Sequence, residues 1–156
     1  MLKVILGTEA LADLVKEGRQ SAVFLFLEAI PHPLERAYVC AESVGSVQQA
    51  CQTAAPGTAP EMGDWGPVAL QNLDQLCRRA RQYRRLIPIT AETAGLALSL
   101  RARWKAPEIW LGDWFVYAIA HCGDLGGNVR LLMRPNHVTK ALGLDARYPL
   151  AKPSGE

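Results

Sequence analysis

Apolar positions fall along this chain in blocks that switch between short continuous runs and a helical rhythm. "LKVIL" (2–6) is apolar but for one lysine and carries Val and Ile, which predicts a buried strand. Gly7 follows. Thr8 then stands where an N-cap belongs for a helix over about 9–17, with Leu11, Leu14 and Val15 on one face and Gly18 as its stop. A second helix over about 19–30 carries Val23, Phe24, Phe26, Leu27 and Ile30, and "PHP" (31–33) ends it. "RAYVC" (36–40) predicts the next strand. Ser43 opens a helix to about 55, with Val44, Val47, Cys51 and Ala54 at helical spacing.

"PGTAPEMGDWGP" (56–67) reads as a loop, long for a compact domain. A helix over about 67–85 follows, whose stripe is Leu73, Leu76, Ala80 and Tyr83. "IPI" (87–89) is a brief extended piece, and Thr90 caps a helix over about 91–104. A helix over 111–124 is apolar nearly all round and should be buried. "VRLLM" (129–133) reads as a strand and "NHVTKALG" (136–143) as a short helix. Short strands alternating with helices predict an α/β fold, with a mostly parallel central sheet flanked by helices. One domain over 1–150 and a loose tail over 151–156 are expected.

Composition narrows this only slightly. Hydrophobic residues make up 49% of the chain and charged residues 21%, with a net charge of +2. The balance by itself implies neither a nucleic acid nor a membrane as partner. Cys40, Cys51, Cys77 and Cys122 show no CxxC spacing and no accompanying histidine cluster, so free thiols, mostly packed as small hydrophobes, are expected rather than zinc. "MLKVIL" lacks the shape of a signal peptide, and no apolar stretch approaches the ~20 residues that span a bilayer. A soluble, cytoplasmic protein is the expectation.

Five segments, in order, resemble the PIN domain, and most of all the VapC-type toxin ribonucleases of bacterial toxin–antitoxin pairs. "VILGTEALADLV" has the shape of that family's strand, Asp-Thr-Asn motif and apolar helix, with Thr8 in the threonine place. "CAESVGS" (40–46) has the rhythm of its second strand-to-helix junction. "IPITAETAGLALSLRAR" matches its later helix start, and "GDWFVYAIAH" the helix that an Asp opens. "LLMRPNHVTKALGL" corresponds to its last strand and short helix. The resemblance covers Leu2 to about Pro149. It implies a PIN-like fold, a metal-dependent ribonuclease ancestry, and as partners RNA, a small antitoxin-like protein or a second copy of the chain.

PIN ribonucleases hold Mg²⁺ or Mn²⁺ with clustered carboxylates, because hard cations want oxygen ligands. Carried over by resemblance, the first Asp falls on Gly7, the Asn on Glu9, the helix Glu on Ser46, and the last acidic place on Pro135 or Asn136. Only Asp113 keeps its carboxylate. The implied reading is a PIN-like domain with a degenerate acidic site, impaired or inactive, in which Asp113 is vestigial or residual, no cofactor is expected, and RNA or protein binding is the function. The alternative is a Mg- or Mn-dependent endoribonuclease with a rearranged set of Glu9, Glu42 and Asp113, with Asp13 one turn beyond Glu9. Simpler roles are also open. Asp113 could cap its own helix, and Glu9 and Glu42 could favour helix N-termini.

Two other features bear on partners. "RRARQYRR" holds Arg78, Arg79, Arg81, Arg84 and Arg85, which suit phosphate contacts, and Tyr83 could stack on a base. Arg101, Arg103 and Lys105 form a second basic cluster. A solvated helix face, its positive charge favouring the C-terminal dipole end, is the plainer explanation of such a run. Trp104, Trp110 and Trp114 lie close in sequence, as core packing at a helix junction or as a partner or ligand surface. His121 reads as a core residue on an apolar helix, and His32 and His137 offer no cluster.

Overall fold

The structure is a computed structural model, and it describes residues 3–29, 37–53, 67–123, 125–126 and 128–148. The segments 30–36, 54–66 and 149–156 lie outside these residues, and with them Ile30, His32, nearly all of the Pro/Gly-rich loop and the expected tail.

Five strands form one sheet in the order β3-β2-β1-β4-β5, and every neighbouring pair is parallel. They are β1 (Lys3–Leu6), β2 (Ala37–Cys40), β3 (Leu86–Ile87), β4 (Val129–Leu132) and β5 (Ala146–Arg147). The helices are α1 (Thr8–Glu17), α2 (Ala22–Ala29), α3 (Ala41–Thr53), α4 (Pro67–Gln82), α5 (Ala91–Trp104), α6 (Leu111–Cys122) and α7 (His137–Ala141), with a 3₁₀ turn at Gly18–Gln20. The central strand shows why the sheet is parallel. Val4, Ile5 and Leu6 are all buried, which happens when helices cover both faces. Val4 and Leu6 enter one core with residues of α1 to α4, while Ile5 enters the other with residues of α5, α6 and α7.

The expected α/β class with a parallel sheet is what the structure has. Several boundaries differ, each for a local reason. The first helix begins at Thr8, with Gly7 as its N-cap, so Thr8 is not the cap. The second helix begins only at Ala22, because Gly18 turns the chain at φ +58° and the Ser21 hydroxyl accepts the Val23 N–H. The third starts at Ala41, directly from β2, two residues ahead of Ser43. α4 stops at Gln82, before Arg84 at φ +58°, which leaves Tyr83 exposed beyond the helix end. Thr90 caps α5 as expected, in a reciprocal pair with Thr93. α6 is buried over Gly112–Ile119, but His121 is exposed near its end, so it is not a core histidine. β5 has two residues, too short for any pattern in sequence to announce. Of the four cysteines, Cys40 and Cys51 are buried, Cys77 is half-buried and Cys122 is exposed. No helix among the described residues is long and apolar enough to cross a membrane.

This order leaves β1 between β2 and β4, with the chain leaving β1 toward one core and β4 toward the other. Parallel sheets bind ligands in the crevice outside the carboxyl ends of such a strand pair. Gly7 and Met133 occupy that place.

Candidate functional site

At the mouth of this crevice Gly7 ends β1 with an ordinary extended backbone (φ −69°, ψ 166°), so no unusual conformation demands glycine. Space does. A Cβ on residue 7 would lie 2.8 Å from Met133 Cβ and 3.1 Å from the Leu132 carbonyl oxygen, which itself accepts the Gly7 N–H. Met133 is buried and fills the spot where an acidic side chain at residue 7 would need room.

Asp113 is buried, 5% exposed, in the first turn of α6. It does not cap its own helix, whose N-cap is Trp110. Its Oδ1 instead accepts the Thr8 N–H at 2.8 Å and so caps α1 across 105 residues of sequence. The Thr8 hydroxyl donates to Ser43 Oγ at 3.1 Å, and both residues are fully buried. Close approach of three helix starts makes this possible. A Cβ on Gly112 would meet Ser43 Cα at 2.7 Å and Thr8 Oγ1 at 2.8 Å. Burial pushes the Asp113 carboxyl up to about 6, against the opposing pull of the Thr8 N–H and hydroxyl, and the nearby Glu9 charge adds to the rise.

The other acids do not join it in a cluster. Glu9 turns outward to Arg134, Oε1 to Nε 3.1 Å, and the Arg134 guanidinium also lies 5.0 Å over the Tyr148 ring. Glu42 is half-buried in the first turn of α3. Burial, and after it the Glu9 charge, raises the Asp13 carboxyl. Ser46 is half-buried on α3 and carries no charge. Among the described residues no three of His, Cys, Asp or Glu stand where they could share a metal ion. A divalent ion needs several oxygen ligands directed at one point. The residues present do not fit one.

Asn136, one of the two positions on which the resemblance would put a last acid, caps α7. Its Oδ1 accepts the Val138 and Thr139 N–H groups at 2.9 Å, while its Nδ2 donates to the Tyr117 hydroxyl at 2.9 Å. Tyr117 is fully buried, and burial raises its ionisation above the ordinary range. Asn136→Ala removes a cap and a buried partner together. It is expected to lower unfolding free energy by about 2 kcal/mol, read from the urea midpoint.

The tryptophans split. Trp114 is core and meets Tyr117 edge-on, Trp104 packs edge-on against His137, and Trp110 is 36% exposed. The Trp104 indole N–H is buried without a hydrogen-bond partner among the described residues. The arginine run lies elsewhere. Arg79 borders a cavity with Gly18 and Arg19, at the C-terminal end of α1. Asp113 sits at the N-terminal end, so ten residues of helix, about 15 Å, separate the two. The run also divides by partner, since Arg78 pairs with Asp74 while Arg85 stacks over Tyr38. Met133 and Arg19 carried no signal as site residues in the sequence, and Arg134 only a weak one, its place just after the "VRLLM" run.

No family model matches the chain, and no curated protein matches it. Two solved structures do. One, described as FitAB bound to an IR36 DNA fragment, superposes with a TM-score of 0.60 at 16% identity, covering 94% of each chain. The other, FitAcB from Neisseria gonorrhoeae, superposes with a TM-score of 0.57 at 17% identity, covering 94% of this chain and 97% of that one. The fold is PIN-like. At such identities the likeness is one of architecture. In this PIN-like domain the crevice at the sheet's carboxyl edge holds Met133, a helix-capping aspartate and a helix-capping asparagine.

Proposed function

We propose that this PIN-like domain has a degenerate acidic site, does not cut RNA by metal-dependent chemistry, and works by binding. One observation carries the reading. The Asp113 carboxylate spends Oδ1 on the Thr8 N–H inside a buried junction of helix starts, and among the described residues no group of three metal-ligating side chains forms. Gly7 lacks the room for an acid, and Glu9 is paired outward with Arg134. RNA is the ligand that the arginine-rich end of α4 suits best, because dense guanidinium charge contacts phosphates and Tyr83 stands exposed beside it. A small antitoxin-like protein is the natural second partner, given the toxin–antitoxin character of the resemblance.

The test has two parts. Calorimetry with Mn²⁺ should show no saturable binding, and single-stranded RNA should survive incubation with Mn²⁺ and protein. Mn²⁺-dependent cleavage that disappears in Asp113→Asn would overturn the reading in favour of a rearranged Glu9, Glu42 and Asp113 set. For binding, fluorescence anisotropy with a single-stranded RNA should show affinity that falls with salt, by a slope of about −0.7 per phosphate contact. The triple variant Arg78→Glu, Arg81→Glu, Arg84→Glu should weaken it by about tenfold or more. Equal affinity in the variant would remove RNA from that face.

A further inference from the structure

A cavity of about 700 Å³ opens between α1, α2, α4 and β2, on the opposite end of α1 from Asp113. Its volume lies in the range of small-molecule sites. Leu14, Phe24, Leu27 and Leu76 line it and are only half-buried, so apolar surface faces the opening. Arg19, Arg79 and Arg85 line it as well, and among the described lining residues Glu28 is the one acid. They come from three places: the 3₁₀ turn after α1, the last turns of α4, and the segment leading into β3. Neither Arg19 nor Arg79 has a carboxylate within ion-pair reach among the described residues.

We propose that this cavity is a binding site for a small amphipathic acid, a carboxylate carrying a medium-length aliphatic or aromatic body. The body removes apolar surface from water against the leucines and Phe24. The carboxylate meets guanidinium groups, whose forked N–H donors match its two oxygens. Charge complementarity selects the sign of the ligand: three cations against one anion among the described lining residues. The lining selects its body. Walls of Leu, Val, Phe and Ala favour an apolar body, although Asn72, Gln75 and Tyr83 also line the cavity. The site is independent of the RNA reading. Arg79 and Arg85 belong to both surfaces, but Arg19 stands outside the arginine run, which lets the two be separated.

The probe is dodecanoate, titrated into the full chain by calorimetry, with dodecan-1-ol as the neutral homologue. Saturable one-to-one binding is expected, with the alcohol about tenfold weaker or worse. Arg19→Glu and Arg79→Glu, both at exposed positions, should each weaken dodecanoate by about tenfold or more, while their own melting midpoints show that they fold. Dodecanoate should raise the melting midpoint of the native chain, since a ligand of the folded state stabilises it. Arg19→Glu should leave RNA affinity unchanged. Absent saturation, equal binding of the alcohol, unchanged affinity in Arg19→Glu, or a lowered melting midpoint would each overturn the proposal. An apolar acidic peptide that binds where dodecanoate does not would overturn it too, by assigning the cavity to a protein segment.

Discussion

Asp113→Asn is expected to abolish a fall in stability that the wild-type chain shows between about pH 4 and pH 6. The Asp113 carboxyl is raised from 3.8 to about 6 in the folded state, chiefly by burial. Between those values the native chain holds a proton that the unfolded chain has released. Stability is therefore fully present below about pH 4 and declines as pH rises through about 6, then stays level. The rise corresponds to about 3 kcal/mol. Asparagine keeps an oxygen for the Thr8 N–H and carries no charge, so the variant lacks this slope and matches or exceeds wild type at pH 7. Asp113→Ala differs. It strips the cap from α1 and leaves a void, costing about 2 kcal/mol or more at every pH. Urea midpoints of wild type and both variants at pH 4 and pH 7 give the comparison, and the difference between wild type and Asp113→Asn isolates this group from the other titrating ones. Parallel pH profiles for those two would show that the carboxyl is not the buried, strained acid described above.

Placing an acid at the end of β1, Gly7→Asp, is expected to damage the fold without creating a nuclease. The new Cβ would stand 2.8 Å from Met133 Cβ and 3.1 Å from a backbone oxygen, and neither is the far end of a flexible side chain. Overpacking of this kind costs about 3 kcal/mol, and a second carboxylate beside the buried Asp113 adds like-charge repulsion. The urea midpoint should drop accordingly, and Mn²⁺ should produce no cleavage of single-stranded RNA. A second substitution tests the cause. Met133→Gly removes the clashing Cβ and should recover part of the loss, whereas Met133→Ala keeps that atom and should recover none. A Gly7→Asp protein as stable as wild type would refute the packing argument.

Both outcomes turn on a substitution of roles at the sheet's carboxyl edge. At that edge this chain has a methionine packed on a glycine, and an aspartate and an asparagine that satisfy helix N–H groups. Every helix start leaves donors without intrahelical partners. Buried at a crowded junction, those donors need acceptors from the protein, and Asp113 and Asn136 provide them for α1 and α7.

What the sequence determined alone was the order and class of the elements. Buried strands such as 3–6 announce themselves by continuous apolar runs, α5 by its Thr90 cap, and α6 by apolarity all round, because these signals are local and follow from backbone hydrogen bonding and solvent exclusion. The motif order was enough to anticipate a PIN-like architecture, and the bare Gly7 stood out at the end of the first strand. Only the tertiary structure decided what surrounds it. That Met133 excludes any side chain at residue 7, that Asp113 caps a helix 105 residues away, that Glu9 faces Arg134, and that Arg19 shares a cavity with Arg79 are all contacts between distant segments. Such contacts depend on how helix starts converge around a parallel sheet, a distance of a few ångströms that no spacing along the chain encodes.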